Sequence, residues 1–323
     1  MIRVTAWLTV FGIILSANLA VSGARADSYP SRPVRIVVPN EPGGIYDLVA
    51  RLVGAELSNR LPQRFYVENK PGAGSILGTQ TVATAAPDGY TLLMGGLSNI
   101  AFNPALYRKL SYDPLRDFTP VALINKFAYV LVGRADLPYS SLGEIIKAAR
   151  KKPNALTLAH PGVGSAPQIA GAALMKVANA QFVEVPYKGV QAPMTDMLAG
   201  RVDLMFVSQS AATPNIRSGR LKAIATSDVR RSHSLPDLPT LVESGVALSM
   251  EAWLGLFAPA QTPPDVLNTL RLQTRASLPA MKPRLEADDS EVMDLSPEAT
   301  DAYVRRQYDF WTQTIRDIGL TLD

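Results

Sequence analysis

Three stretches of the chain set glycine beside hydroxyl, amide or carboxylate side chains where an apolar strand gives way to a helix. The first is Pro42-Gly43-Gly44-Ile45-Tyr46-Asp47, which follows the β-branched run Val34 to Val38 and opens a helix continuing through Leu48, Leu52 and Leu57. The second is Gly95-Gly96-Leu97-Ser98-Asn99, and the third is His160-Pro161-Gly162-Val163-Gly164-Ser165-Ala166-Pro167. The chemistry they offer is anion binding. The first N–H groups of a helix have no partner inside it, the helix dipole puts positive charge there, and glycine lets backbone approach a ligand closely. In open α/β sheets the ligand site lies at the carboxyl ends of the strands, where these loops fall.

Individual residues admit two readings. Asp47 caps its own helix or touches ligand. Ser98 and Asn99 donate to a ligand oxygen or form a polar turn. Ser165, with the backbone of Gly162 and Gly164, forms an anion nest or caps the helix it opens. Two helix N-termini facing each other would hold a carboxylate from both sides. Tyr187, Lys188 and Gly189 are expected on the floor of the site. Asp203 is expected near the cleft, where it orients amide or hydroxyl groups, or pairs with Lys188 or Arg201 and serves the fold.

Other chemistries find no support. The two histidines, His160 and His233, are far apart, and there is no cysteine. Disulfides, thiolate-zinc sites and thiol catalysis are therefore excluded, and no His/Asp/Glu spacing suggests a metal. No Gly-x-Ser-x-Gly elbow is present. Gly72-x-Gly74-x-x-x-Gly78 misses the dinucleotide fingerprint by one position and is separated from its strand by Pro71. No cofactor is expected. His160 lies in a presumed ligand loop and so offers a pH response, or is an ordinary loop histidine.

The first 26 residues read as an export signal: Arg3, an apolar run from Trp7 to Val21, and Ala24-Arg25-Ala26 as the cleavage site, with the cut after Ala26. Removal leaves 297 residues, enough for two domains, and takes two arginines and no acid, lowering the net charge from +4 to +2. So mild a balance, without basic runs interleaved with aromatics, argues against nucleic-acid binding. The expected location is the periplasm and the expected state a monomer.

Strand-like segments at 34–38, 64–68, 91–95, 120–124, 128–133, 156–159, 182–185, 203–207, 221–226 and 253–258 alternate with helix-like segments. The helices are expected at 45–60, 75–86, 141–152, 165–178, 190–199, 209–218, 264–279 and 297–318. The alternation predicts an α/β protein built from βαβ units on mostly parallel sheets. The breaks at Tyr112-Asp113-Pro114 and Leu235 to Pro239 are too short for a free linker, which suggests one lobe left and re-entered through two short crossings.

A series of motifs then covers the mature chain: Tyr29-Pro30-Ser31-Arg32-Pro33, Pro42-Gly43-Gly44 with Asp47, Val67-Glu68-Asn69-Lys70-Pro71-Gly72-Ala73-Gly74, and Ala86-Pro87-Asp88-Gly89-Tyr90-Thr91-Leu92-Leu93. Asn103-Pro104-Ala105-Leu106-Tyr107, Val185-Pro186-Tyr187-Lys188-Gly189, Gly200-Arg201-Val202-Asp203-Leu204-Met205-Phe206 and Leu238-Pro239-Thr240 follow in order. In this order the chain resembles the extracytoplasmic solute receptors of the tripartite tricarboxylate transporter family, also called the Bordetella uptake gene receptors. The resemblance implies a type II periplasmic-binding-protein fold, with two α/β lobes, a hinge and a ligand cleft. The lobes would be residues 27–127 with 248–323, and residues 128–247.

It also implies a receptor that captures a small carboxylate and delivers it to membrane permease subunits. A ligand-sensing partner of a membrane sensor kinase would use the same pocket, and an enzyme on this topology is disfavoured. The chain departs from the family pattern where Asn40 and Glu41 replace an apolar pair and Ile45-Tyr46 replaces small residues. Tyr46 would narrow the cleft or stack on a flat ligand. Glu41 facing the pocket would disfavour a second carboxylate and favour an amine or amide; facing solvent it would do neither.

Overall fold

A computed structural model describes residues 29–287 and 289–322. The expected export signal and its cut after Ala26 lie outside the described residues. In chain order the elements are β1 (Val34–Val38), α1 (Ile45–Arg60), β2 (Phe65–Asn69), α2 (Ile76–Ala83), β3 (Thr91–Gly96), a π-helical turn (Leu97–Phe102), α3 (Asn103–Leu106) and β4 (Phe118–Arg134). There follow α4 (Leu142–Lys151), β5 (Thr157–His160), α5 (Ala166–Ala178), β6 (Val183–Pro186), α6 (Gln191–Leu198), β7 (Leu204–Ser208), α7 (Gln209–Arg217) and β8 (Leu221–Thr226). The chain ends with β9 (Glu251–Pro259), α8 (Pro264–Ala287), β10 (Glu291–Val292) and α9 (Pro297–Ile318). No helix among the described residues is long and apolar enough to cross a membrane.

The strands join in the order β2-β1-β3-β9-β4-β7-β5-β6, with β8 and β10 also paired to β4. The wings are parallel: β1 with β2 and β3, and β5 with β6 and β7. The centre is antiparallel, because β9 returns between β3 and β4, and β4 meets β7 and β8 head to tail. The expectation of mostly parallel sheets therefore holds for the wings and fails at the centre.

The segments expected as two strands, 120–124 and 128–133, form the single strand β4. Asn125 and Lys126 read as a polar break, yet they pair with Leu254 and Trp253, and register shifts beside Pro120 and Leu123 absorb the irregularity. The first part of β4, to Ala128, bonds to β9, and the part from Tyr129 bonds to β7 and β8. One strand thus carries the backbone ladder from one half of the molecule into the other.

The return crossing is pinned at the same level. Ser227, fully buried after β8, donates its N–H to the Tyr129 carbonyl at 2.8 Å and accepts the Tyr129 N–H on its hydroxyl at 3.0 Å. The hydroxyl donates to the Met250 carbonyl at 2.6 Å, and the Ser227 carbonyl accepts the Met250 N–H at 2.7 Å. Ser227 therefore ties β4 to the chain entering β9.

The larger core gathers Ile36, Phe102, Trp253 and Phe257, and a smaller one lies between Val130, Val132, Met194 and Met205. Alternation along β4 sends Val130 and Val132 to the smaller core and Leu131 to the larger. Helix α8 runs beyond the expected end at 279, through Pro279 and Pro283, because Leu278, Met281 and Leu285 keep its apolar stripe buried. Gly96 is set by space: a Cβ there would lie 2.5 Å from the Tyr46 hydroxyl and 2.6 Å from the Trp253 carbonyl.

Candidate functional site

The carboxyl ends of β1, β2, β5 and β7 point into one cavity of about 520 Å³ between the two halves. Each strand is followed by a helix whose N-cap residue lines that cavity. The N-caps are Gly44 for α1, Ser75 for α2, Ser165 for α5 and Ser208 for α7, and all four are in the wall. Only Ser165 caps its own helix, accepting the Gln168 N–H at 3.4 Å. Gly44 and Ser208 supply no side-chain cap, so first-turn N–H groups of α1 and α7 remain for other acceptors, whereas in α2 the Ile76 and Leu77 N–H groups bond back to the Ala73 and Gly72 carbonyls at 3.0 and 3.5 Å. Each N-terminus carries roughly half a positive elementary charge. Among the described residues the charged side chains in the wall are Glu41 and Lys188.

The two halves meet around this cavity. The Ser98 hydroxyl accepts the Ala166 N–H at 3.2 Å, joining the π-helical turn to the start of α5. Glu41 lies over Gly189, where an added Cβ would come within 2.9 Å of the Glu41 stem. The Gly74 backbone approaches the Val163 carbonyl, which an added Cβ would meet at 3.1 Å.

Tyr46 is in the wall with its ring buried. Burial pushes its phenol up to about 12, against hydrogen bonds with Ser98 that lower it. It is therefore a neutral hydroxyl at ordinary pH. Tyr129, also in the wall, is raised by burial and by the nearby Tyr46. Tyr187 lines the cavity and donates its hydroxyl to Asp196 at 2.8 Å.

Of the residues expected in the site, Gly44, Tyr46, Ser98, Gly162, Ser165 and Tyr187 form its wall. Pro42, Gly43, Asp47, Asn99, Gly164 and Asp203 do not. Asp47 accepts the Gly43 N–H, the Arg51 Nε and the Asn69 Nδ2, each at 3.0 Å. Burial works to raise its carboxyl, but these bonds outweigh it and hold the group below the usual carboxylate range. Asp47 thus fixes the loop that carries Asn40 to Gly44. Pro42 and Gly43 sit on the outer, exposed side of that loop.

Asn99 is fully buried behind the wall: its Oδ1 accepts the Gly96 N–H and its Nδ2 donates to Thr79, both at 3.0 Å. Gly164 donates its N–H to the Gln168 side chain at 2.7 Å. Asp203 corrects the expectation most clearly. It precedes β7 at the amino ends of the strands, while the cavity opens at their carboxyl ends. Its Oδ2 accepts from the Thr157 N–H and hydroxyl at 2.8 and 2.9 Å, and its Oδ1 from Arg134 at 2.9 Å. Its partner is thus neither Lys188 nor Arg201. His160 is buried just behind Pro161, with Nδ1 3.0 Å from the Gly162 carbonyl, and burial lowers its imidazole.

The sequence reading missed the wall made by Pro71 to Ser75, and also Tyr129 and Ser208. In the sequence, the glycines of the first of these read as a failed nucleotide fingerprint and as part of a family motif, not as a wall of the site. The strand, glycine loop and helix in that order carry the same signal as the loop before α1.

Comparison with known proteins identifies relatives of this chain. The tripartite tricarboxylate transporter family receptor matches residues 49–320. A UPF0065 protein of Bordetella pertussis is 33% identical, with 94% of each chain covered. The solved structure of the periplasmic binding protein BugD is similar at 34% identity and a TM-score of 0.86, covering 91% of this chain and 100% of the other. MatC from Rhodopseudomonas palustris, solved with bound malate, is similar at 33% identity and a TM-score of 0.84, covering 89% of this chain and 100% of MatC. With fold and sequence in agreement over most of its length, the chain belongs to the tripartite tricarboxylate transporter receptor family.

Proposed function

We propose that this chain is a periplasmic receptor that captures a small carboxylate between two lobes and delivers it to a tripartite tricarboxylate-type membrane permease. The lobes are residues 27–127 with 248–323, and residues 128–247, and the signal is cut after Ala26. The receptor works as a monomer, carries out no chemistry on its ligand and needs no cofactor. The observation that carries the reading is the convergence of four helix N-termini on one cavity. Backbone N–H groups and helix dipoles from both lobes bind an anion without a dedicated arginine. The cavity volume falls in the range of about 300–1,000 Å³ usual for small-molecule sites. Malate in the related MatC supports the ligand class. Closure would be a hinge motion about β4 and Ser227.

The test is a thermal-shift and calorimetric screen of the mature protein against mono-, di- and tricarboxylates, amino acids and aromatic acids. At a hundredfold excess over its dissociation constant a true ligand adds about 2.7 kcal/mol of stability. A saturable shift with a carboxylate supports the receptor reading, and no shift with any of them overturns it. Uptake of that ligand by cells with and without the protein, each in the presence and absence of the permease, tests delivery.

A further inference from the structure

We infer that Glu41 makes the cavity selective for carboxylates that also carry a cationic or hydrogen-bond-donating group, amino acids and their amides rather than plain di- or tricarboxylates. This rests on the receptor reading and goes beyond it by naming the ligand class. Glu41 is the one acidic side chain in the wall among the described residues, and no ion pair or hydrogen bond joins its carboxylate to a described residue. Its place is built from both sides of the cleft. On its own side the Asn40 carbonyl accepts the Asn69 Nδ2 at 3.2 Å and the Gly43 N–H is held by Asp47 at 3.0 Å, so the loop is fixed on either side of Glu41. On the other side its stem seats on Gly189, a position with a φ of +77° and no Cβ to obstruct it. Lys188, next to that glycine, lines the cavity and makes no ion pair with Glu41.

The electrostatic consequence follows from position. The half-buried Glu41 carboxylate has no protein partner among the described residues, which leaves it open to a ligand ammonium or amide N–H. A second ligand carboxylate near Glu41 would meet a like charge. The helix N-termini take a ligand carboxylate, while Glu41 places a negative charge on this side of the cavity. A site built to accept a hydrogen bond discriminates strongly against an analogue that lacks the donor.

The experiment is isothermal titration of the mature protein with matched pairs: glutamate against glutarate, and 4-aminobutyrate against butyrate. In the wild-type protein the nitrogen-bearing member of at least one pair binds tenfold or more tighter. Glu41→Gln lowers the affinity for that member tenfold or more and narrows the gap to its plain partner. Equal or tighter binding of the plain acids to the wild-type protein overturns the inference and leaves the receptor reading standing. The same holds for a Glu41→Gln protein whose ratios are unchanged. Binding of none of these acids, nor of any other carboxylate, overturns the receptor reading and this inference with it. If Glu41→Gln fails to fold, Glu41→Ala is measured in its place with the same expected loss, and the wild-type ratio alone still suffices to overturn the inference.

Discussion

The Ser98 hydroxyl accepts the Ala166 N–H at 3.2 Å, a side chain from one half of the molecule capping the first turn of a helix in the other. The same hydroxyl is within hydrogen-bonding reach of the Tyr46 phenol. Ser98 therefore links the cavity wall to the contact that closes it. Ser98→Ala leaves the Ala166 N–H without this acceptor, and a net hydrogen bond is worth about 1 kcal/mol. The expected outcome is roughly fivefold to tenfold weaker ligand binding by calorimetry, with a wider cleft in small-angle scattering. Unchanged affinity and unchanged dimensions would separate Ser98 from closure.

Ser227 holds the two crossings together through four hydrogen bonds, two of them from its hydroxyl. Ser227→Ala leaves the Tyr129 N–H and the Met250 carbonyl without that partner in a fully buried place. The expected loss is about 2–3 kcal/mol, seen as a lower urea midpoint with an unchanged slope. A midpoint equal to that of the wild-type protein would show that water replaces the hydroxyl there.

Asp47 predicts a pH dependence whose sign is fixed. Its carboxyl titrates below the usual range in the folded protein and near ~3.9 in the unfolded chain. Its contribution is thus present above about pH 4 and is lost as pH falls through the lower, folded-state value. Asp47→Asn should lower the unfolding midpoint at pH 7, and the difference from wild type should shrink as pH drops below about 4. Denaturant titrations at a series of pH values check this. A difference that stays constant into acid would mean that the negative charge of Asp47 contributes nothing.

Asp203 separates fold from binding. Its bonds to Thr157 and Arg134 lie at the end of the sheet opposite the cavity. Asp203→Asn should cost about 1–3 kcal/mol of stability while leaving ligand affinity within twofold. A tenfold loss of affinity at an unchanged melting midpoint would return Asp203 to the binding site.

What could be read in the sequence was local. The run Val34 to Val38, the glycines after it and the helix beginning at Ile45 are contiguous, so their layout is visible before any fold is known. The same holds for Ser165, which caps α5 and also lines the cavity. What stayed hidden was set by distant partners. Asn99 looks like a donor until Thr79 and Gly96 take both ends of its amide. Asp203 looks close to the cleft until the strand direction puts it at the wrong end. The polar Asn125-Lys126 break disappears because β9 supplies partners more than a hundred residues later. Tyr129 reaches the wall only because β4 continues across that break.

The position of β9 between β3 and β4 also sets an order of assembly. Until Glu251 to Pro259 has been made, β3 and the first part of β4 lack the strand that lies between them, and each presents an open edge. Pairings that span so much chain form slowly, because a large loop must close before any contact rewards it. A nascent chain shorter than this would therefore remain unfinished and vulnerable to edge-to-edge association. Truncation before β9 should give an insoluble fragment rather than a smaller folded unit. The last central strand thus acts as a keystone in time, completing the first half of the protein only after the second half has been synthesised.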